Sequence, residues 1–94
     1  MEPIELPIDG ILDLHTFHPR ELPDLIEDYL EACLEKGILE IRIIHGKGTG
    51  TLKKRVRSLL AKNSRVADFA DAPPEAGGWG ATLVRLNPEP ENQD

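Results

Sequence analysis

Hydrophobic and polar positions follow two different periods along the chain. Where they alternate, or where β-branched apolar residues run almost without a break, the pattern predicts strands. These segments are residues 11–15, 38–44, 64–70 and 81–86. Residues 22–34 and 52–60 instead carry apolar side chains at helical spacing, which predicts two helices that each bury one face. The predicted order of elements is β-α-β-α-β-β.

This order predicts an α/β fold, a two-layer sandwich in which two helices pack on a four-stranded mixed sheet. The first βαβ unit is expected to be parallel and right-handed. The strand at residues 38–44 is expected in the sheet interior, covered on both faces or largely so. Residues 71–80 are predicted to form a surface loop. The folded domain is expected at residues 11–86, between an N-terminal tail at 1–10 and a disordered acidic tail at 87–94.

Composition restricts the class of protein. With 94 residues, of which 39% are hydrophobic and 30% charged, the chain is predicted to form one globular domain. The single cysteine, Cys33, cannot form a disulfide within the chain, and its place on the apolar face of the first predicted helix indicates a packed thiol. No apolar run approaches the roughly 18 residues of a membrane span. We therefore expect a cytoplasmic protein without a membrane partner.

Charge is divided unevenly along the chain. The formal net charge is −6, yet the eight basic residues between Ile41 and Arg65 are interrupted by no acidic residue. Salt screens charges beyond about 10 Å at 0.1 M, so a chain that is acidic overall can still carry a local anion-binding surface. The net charge therefore does not exclude nucleic acid as a partner.

Asp13 and His15 form the first candidate site. Residues two apart on a strand point the same way, and these two close the first predicted strand at its carboxyl end. A carboxylate beside an imidazole suits acid–base catalysis. Alternatively, Asp13 caps a loop or only orients His15, which then bonds to the backbone. His18 adds an H-x-x-H pattern, but structural zinc usually takes four Cys or His ligands, so no metal site is predicted.

The second candidate site lies between a predicted strand and a predicted helix. It begins with His45 and continues with Gly46, Lys47, Gly48, Thr49 and Gly50. Backbone N–H groups at such a turn bind anions, and glycines let the backbone approach a phosphate closely. The outward basic residues Lys53, Lys54 and Arg57 favour phosphate binding over a turn that only needs positive φ angles. The spacing matches no nucleotide-binding glycine motif, so no nucleotide triphosphate is expected.

The two sites are predicted to adjoin, because His15 and His45 would lie at the carboxyl ends of neighbouring parallel strands. Two histidines flanking a phosphodiester can act as general base and general acid. The base would activate a 2′-OH in RNA or a water molecule on DNA. Asp13 would orient a histidine or hold a divalent cation, Mg²⁺ or Mn²⁺, and no other cofactor is indicated.

A third group of residues lies in the predicted loop. It consists of Gly77, Gly78, Trp79 and Gly80. Trp79 either stacks on a nucleic-acid base or folds back over the edge of the core, and the sequence leaves both interpretations open.

Together, the segments Leu12–His15, His45–Gly50 and Gly77–Val84 resemble the three-part signature of the Smr (small MutS-related) domain. The resemblance spans residues 11–86. It implies a two-layer α/β fold with a four-stranded sheet that binds nucleic acid and, in several members, cleaves DNA or RNA. It further implies that Asp13 and His15 are the catalytic pair. The glycine-rich turn and the basic helix after it would then contact nucleic acid, and the third segment would form the edge of the site.

One departure from the family pattern follows the first segment. The family usually continues with glycine, whereas this chain has Thr16, Phe17, His18 and Pro19, which resembles a subgroup of short stand-alone members. The resulting hypothesis is an endonuclease whose site comprises Asp13, His15 and His45. The alternatives are a non-catalytic nucleic-acid-binding domain and a module that docks on a ribosome or a repair complex.

Overall fold

The computed structural model describes residues 7–46, 48 and 50–88. Its strands are β1 (Ile11–Asp13), β2 (Glu40–Ile44), β3 (Val66–Asp71) and β4 (Ala81–Leu86), and its helices are α1 (Leu22–Glu35) and α2 (Thr51–Ala61). Short 3-10 helices cover Pro19–Glu21, Pro74–Ala76 and Gly78–Gly80. The observed order is the predicted β-α-β-α-β-β.

The four strands form one sheet in the order β1-β2-β4-β3. β1 and β2 are parallel, with Asp13 opposite Ile44, so their carboxyl ends lie side by side. β4 runs antiparallel to both β2 and β3. The sheet is therefore mixed, and the predicted α/β class with two helices and four strands is confirmed.

Only one face of this sheet is covered by helices. Apolar side chains of α1 and α2 join those of Leu12, Ile41 and Ile43 in a single core. On the other face, Ile44 is half-buried and Leu83 is 38% exposed. The expectation that the second strand is covered on both faces, or largely so, was therefore wrong, because Arg42 and Ile44 on the open face are only half-buried. Its continuous apolar pattern reflects a central strand whose open face is only partly shielded by neighbouring side chains and the loop before β4.

Helix α1 supplies much of the core because its apolar positions recur every three or four residues. The buried positions are Leu22, Leu25, Ile26, Tyr29, Leu30 and Cys33. The helix ends in a Schellman motif, in which Ile38 N–H donates to the Cys33 carbonyl at 2.8 Å and Gly37 has a φ of +77°. Burial also raises the pKa of the Cys33 thiol, which agrees with a packed, unreactive cysteine.

Tyr29 ties helix α1 to the start of β1. Its buried hydroxyl donates to the Ile11 carbonyl and accepts from Gly10 N–H, each at 3.1 Å. Ile8 also packs against the core, so the folded part includes residues expected to form a tail.

In the described part of the chain, no helix has the length and apolar character needed to cross a membrane.

Candidate functional site

Asp13 and His15 meet where β1 ends. The strand stops at Asp13, and its Oδ1 accepts a hydrogen bond from His15 N–H at 3.1 Å. The same oxygen lies 2.9 Å from Nδ1 of the His15 ring. The two side chains are 47% and 76% exposed, so this pair stands at the solvent edge of the sheet. The side chains that the spacing predicts on one face do come together, through a turn and not a continuing strand.

The contact with Asp13 determines which ring nitrogen of His15 is available. The hydrogen bond from His15 lowers the pKa of Asp13, so this carboxyl group is ionised at neutral pH. An ionised carboxylate only accepts hydrogen bonds, so Nδ1 of His15 carries the proton. In the neutral ring, Nε2 is then the basic nitrogen, and it contacts no hydrogen-bond partner among the residues described. This is the arrangement required of a general base.

His45 occupies a different environment from His15. It continues the buried face of β2 after Ile41 and Ile43 and is only 8% exposed. Its Nδ1 contacts the Gly46 carbonyl at 3.1 Å, and its Nε2 contacts Thr82 Oγ1 at 2.8 Å. A carbonyl only accepts, so Nδ1 donates and Thr82 donates to Nε2. Burial lowers the pKa of His45, which keeps this ring neutral at pH 7.

The expected partnership of the two histidines is therefore not what the geometry shows. Asp13 pairs with Ile44 on the open face of the sheet, whereas His45 lies on the face that the helices cover. Both ring nitrogens of His45 are engaged in hydrogen bonds within the domain. His45 is thus suited to holding the turn after β2 in place, not to exchanging protons with a substrate.

The second and third sequence segments are joined through the Gly80 carbonyl. It accepts hydrogen bonds from His45 N–H at 3.1 Å and from Gly46 N–H at 2.8 Å. Gly77, with a φ of +113°, lies so close to the start of β4 that an added Cβ would approach the Ala81 Cβ to 3.1 Å. The loop therefore packs tightly against the end of the sheet at Gly77, whereas a Cβ added at Gly78 would meet nothing within 4 Å.

Two concave surfaces meet at Gly46. On the helix side, a cavity of about 380 Å³ opens at the start of α2; it is lined by Pro19, His45, Gly46, Gly48, Gly50, Thr51, Leu52, Lys53 and Arg55. On the open face of the sheet, a groove of about 390 Å³ is lined by Arg42, Ile44, Gly46, Glu75, Ala76, Gly77, Gly80 and Ala81. Gly46 is exposed with a φ of +83°, so its backbone is accessible from both sides.

The basic residues of α2 divide into two pairs. Lys53 Nζ and Arg57 Nη2 lie 2.8 Å and 2.5 Å from the same carboxylate oxygen of Asp71. The hydrogen bond from Lys53 lowers the pKa of Asp71, and the Lys53 side chain is only 17% exposed. The expectation that Lys53 and Arg57 point outward as phosphate contacts was wrong, because β3 brings Asp71 against this side of the helix.

Lys54 and Arg55 form the other pair. Both are exposed in the first turn and a half of α2, and neither forms an ion pair with a residue that the structure describes. Arg55 also lines the cavity at the start of the helix. Lys54 and Arg55 are therefore the α2 cations that no described carboxylate neutralises, and of these two only Arg55 lines the cavity.

Trp79 stands beside the same helix start. It is 43% exposed and does not belong to the core that the described residues form. Lys53 Nζ lies over the indole, 4.6 Å from the ring centroid, and a Cβ added at Gly50 would lie 3.9 Å from Trp79 Cζ3. The indole is thus placed against the glycine-rich turn.

Two residues that were predicted to bind phosphate lie outside the described part of the chain. Lys47 and Thr49 are not among the described residues, so their expected contacts stay predictions. Within residues 7–46, 48 and 50–88, no group of three His, Cys, Asp or Glu side chains is arranged to hold a metal ion. Asp13 is the one carboxylate of the predicted catalytic residues, and its Oδ1 is used by His15.

Three residues of this region were not anticipated. Thr82 is completely buried at 2.8 Å from His45; its place on the inward face of an alternating strand could have shown that it needs a polar partner. Asp71 lies in β3, and no local pattern links it to α2. Arg55 belongs to the basic run expected along phosphates but was not among the three residues predicted to point outward; in the fold it is exposed and forms no ion pair with any residue that the structure describes.

The family of the chain follows from comparison with known proteins. The family model described as "Smr domain" matches residues 12–87, which include every strand and helix except the first residue of β1. The chain belongs to the Smr domain family.

Relatives of this Smr domain are found in much larger proteins. "Endonuclease MutS2" of Thermus thermophilus is 44% identical over 63 residues, which are 67% of the chain and 8% of that protein. "Endonuclease MutS2" of Helicobacter pylori is 40% identical over 75 residues, covering 80% of the chain and 10% of that protein. The chain therefore spans about a tenth of the length of the curated relatives it matches.

Two solved structures share the fold. The crystal structure of the Smr domain of Thermus thermophilus MutS2 matches with a TM-score of 0.79 and 39% identity, covering 85% of this chain and 100% of that one. YdaL, a stand-alone small MutS-related protein from Escherichia coli, matches with a TM-score of 0.72 and 29% identity, covering 85% of this chain and 66% of that one. The Smr architecture thus occurs both as one domain of a MutS2 protein and as a stand-alone protein.

The buried, neutral His45 makes the stability of the Smr domain depend on pH. Its pKa is lower in the folded state, so the unfolded chain binds the additional proton first as the pH falls below about 6.5. The contribution of neutral His45 to the free energy of unfolding is therefore fully present above that pH. It is lost as the pH falls toward the lower pKa that His45 has in the folded state. We expect the free energy of unfolding, from urea titrations at pH 7.5 and pH 5.5, to fall less for His45→Gln than for the unmodified chain. Equal losses would contradict a buried neutral His45.

Proposed function

We propose that this Smr domain binds nucleic acid across the edge where β1 and β2 end and cleaves phosphodiester bonds there. The observation that supports this most directly is the Asp13–His15 pair, which leaves a basic Nε2 on the solvent side of the edge. Leu14 N–H donates to the Ile44 carbonyl at 2.9 Å, so the turn to His15 leaves the sheet beside the turn to Gly46. The proposed base therefore adjoins the proposed phosphate-binding backbone.

In the proposed reaction, Asp13 orients the His15 ring and holds the proton on Nδ1. Nε2 accepts the proton of the attacking group, a ribose 2′-OH in RNA or a water molecule on DNA. The attacking oxygen bonds to phosphorus, the bond to the leaving oxygen breaks, and solvent protonates that oxygen. Backbone N–H groups at the start of α2 and the Arg55 guanidinium stabilise the charge on the phosphate.

Binding and cleavage are tested on end-labelled single- and double-stranded DNA and RNA of one sequence. Each substrate is incubated with Mg²⁺, with Mn²⁺ and with a chelator. Cleavage of any substrate supports the proposal, and the chelator reactions determine whether a divalent cation takes part. Gel shifts without cleavage would support a non-catalytic nucleic-acid-binding domain. If all substrates stay intact and unbound, the proposal fails and a protein partner, such as a ribosome or a repair complex, takes its place.

Arg55→Ala is expected to weaken binding about 5-fold at 0.15 M salt, since one phosphate contact contributes about 0.9 to the slope of log K against log salt. The matched control is Lys62→Ala, which removes one exposed positive charge just past the other end of α2. Fluorescence anisotropy of a labelled oligonucleotide at several salt concentrations measures both variants. We expect the slope to fall by about one for Arg55→Ala only. Equal effects of the two substitutions would show that the cavity at the helix start contributes nothing specific.

A further inference from the structure

The exposed indole of Trp79 has no role in the cleavage reaction proposed above. It is nevertheless held firmly, because it lies in the 3-10 helix Gly78–Gly80, whose last carbonyl accepts two hydrogen bonds from the end of β2. Gly78 N–H also donates to the Pro73 carbonyl at 3.0 Å. The backbone that carries the ring is therefore held against the end of β2 and the proposed phosphate-binding turn by hydrogen bonds.

A chain of side-chain contacts orders the ring further. Asp71 holds the Lys53 ammonium at 2.8 Å, and this ammonium lies 4.6 Å from the indole centroid. Lys53 thus covers one face of the ring and is itself unavailable as a mobile phosphate contact. The residue is still 43% exposed, so an aromatic surface remains open to solvent beside Gly50 and the start of α2.

An ordered aromatic surface next to an anion-binding helix start matches the two halves of a nucleotide, a flat base and a phosphate. In a duplex, the faces of each base are covered by its neighbours, so an indole can stack only on a base that is unpaired or turned out of the helix. We propose that Trp79 is a stacking platform for an unpaired base, which makes single-stranded nucleic acid the preferred ligand of this Smr domain. The inference rests on the proposed function and specifies its substrate class.

Trp79 is the only tryptophan of the chain, so its fluorescence reports directly on the proposed contact. The protein is titrated with single-stranded and double-stranded oligonucleotides of one sequence, while anisotropy of a label on the oligonucleotide measures binding independently. We expect single strands to quench the emission and to bind more tightly than the duplex. Binding of single strands without any change in emission would overturn the stacking proposal.

Two substitutions separate stacking from simple apolar contact. Trp79→Leu keeps an apolar side chain but has no ring face, and we expect it to weaken single-strand binding roughly 5- to 150-fold, the range found when a stacking aromatic is lost. Trp79→Phe retains a smaller ring and should recover most of that affinity, and duplex binding should change less than about 2-fold in both variants. Thermal unfolding of both variants verifies that the fold is intact.

The failures of the two proposals are distinguishable. If no oligonucleotide raises the anisotropy signal, the proposed function itself is overturned, and this inference with it. If oligonucleotides bind, but Trp79→Leu binds single strands as tightly as the unmodified chain, only the stacking platform is overturned.

Discussion

Replacing His15 by alanine is expected to lower the rate of phosphodiester cleavage by about 10²- to 10⁴-fold, the range typical of a lost general base. The expected effect on folding is small. The side chain is 76% exposed, and among the described residues its ring forms a hydrogen bond with the carboxylate of Asp13, which is itself 47% exposed. Surface substitutions of this kind usually change the free energy of unfolding by less than about 0.5 kcal/mol. Binding of the oligonucleotide should also persist.

Single-turnover cleavage and anisotropy, measured on one preparation of each variant, distinguish loss of chemistry from loss of binding. His18→Ala is the matched control, because His18 is an exposed histidine three residues away whose Nδ1 accepts a hydrogen bond from Arg20 N–H. It should cleave at the rate of the unmodified chain. Full activity of His15→Ala, or an equal loss with His18→Ala, would exclude His15 as the base.

The substitution Asp13→Asn changes the hydrogen-bond partner of the His15 ring. The amide keeps the shape of the carboxylate but carries no charge, and its oxygen can still accept from the His15 ring. Its NH₂ group can instead face Nδ1, which would place the ring proton on Nε2 and remove the base. If Asp13 orients His15 as proposed, Asp13→Asn should lower the rate of cleavage and leave oligonucleotide binding unchanged, as measured by single-turnover cleavage and anisotropy.

The fold was predictable because its signals are local. Alternation in residues 81–86 and the helical spacing after Leu22 each depend on a few neighbouring residues, and the structure has β4 at those same bounds. The end of β1 was harder to predict from the sequence. After Asp13 the chain turns, and Asp13 Oδ1 accepts a hydrogen bond from His15 N–H, which no hydropathy pattern indicates. Coverage of β2 was mispredicted because an apolar run looks the same whether one or both faces are covered by helices.

The candidate site was predictable where sequence neighbours meet in space. Asp13 and His15 are two residues apart, so their contact needs only a short turn. Lys53 and Asp71 are eighteen positions apart, and only the packing of α2 on β3 brings them together. Sequence patterns therefore identified the basic helix, but they could not show which of its cations is already neutralised by a carboxylate.

The orientation of the His45 side chain could have been predicted from the sequence. Ile41, Ile43 and His45 alternate, so the ring had to follow two core residues onto the same face. A ring on the buried face needs hydrogen-bond partners for both of its nitrogens. Thr82, which lies opposite Ile43 on β4, is the polar residue that satisfies one of them. The three segments of the signature thus differ in structure: an exposed Asp13–His15 pair, a turn beside the buried His45 imidazole, and a loop whose Gly80 carbonyl accepts hydrogen bonds from that turn.

Replacing His45 by alanine is therefore expected to lower the free energy of unfolding by about 2–4 kcal/mol, in contrast to His15→Ala. The substitution leaves a cavity on the helix side of the sheet and removes the partner of the completely buried Thr82 hydroxyl. Urea denaturation at pH 7.5, where His45 is neutral, measures the change. Thr82→Val should cost less, because it removes one hydrogen bond and leaves no cavity.

The double variant His45→Ala with Thr82→Val completes a thermodynamic cycle. If the two side chains stabilise the fold through their mutual hydrogen bond, the two losses are not additive, and the coupling free energy is about 0.5–3 kcal/mol. Cleavage by His45→Ala should then decline in proportion to the unfolded fraction and return when a stabilising osmolyte restores the fold. A His45→Ala variant that keeps the free energy of unfolding of the unmodified chain, binds the oligonucleotide and yet cleaves nothing would instead place His45 in the chemistry, because a residue that only positions the turn cannot be lost without a cost in stability.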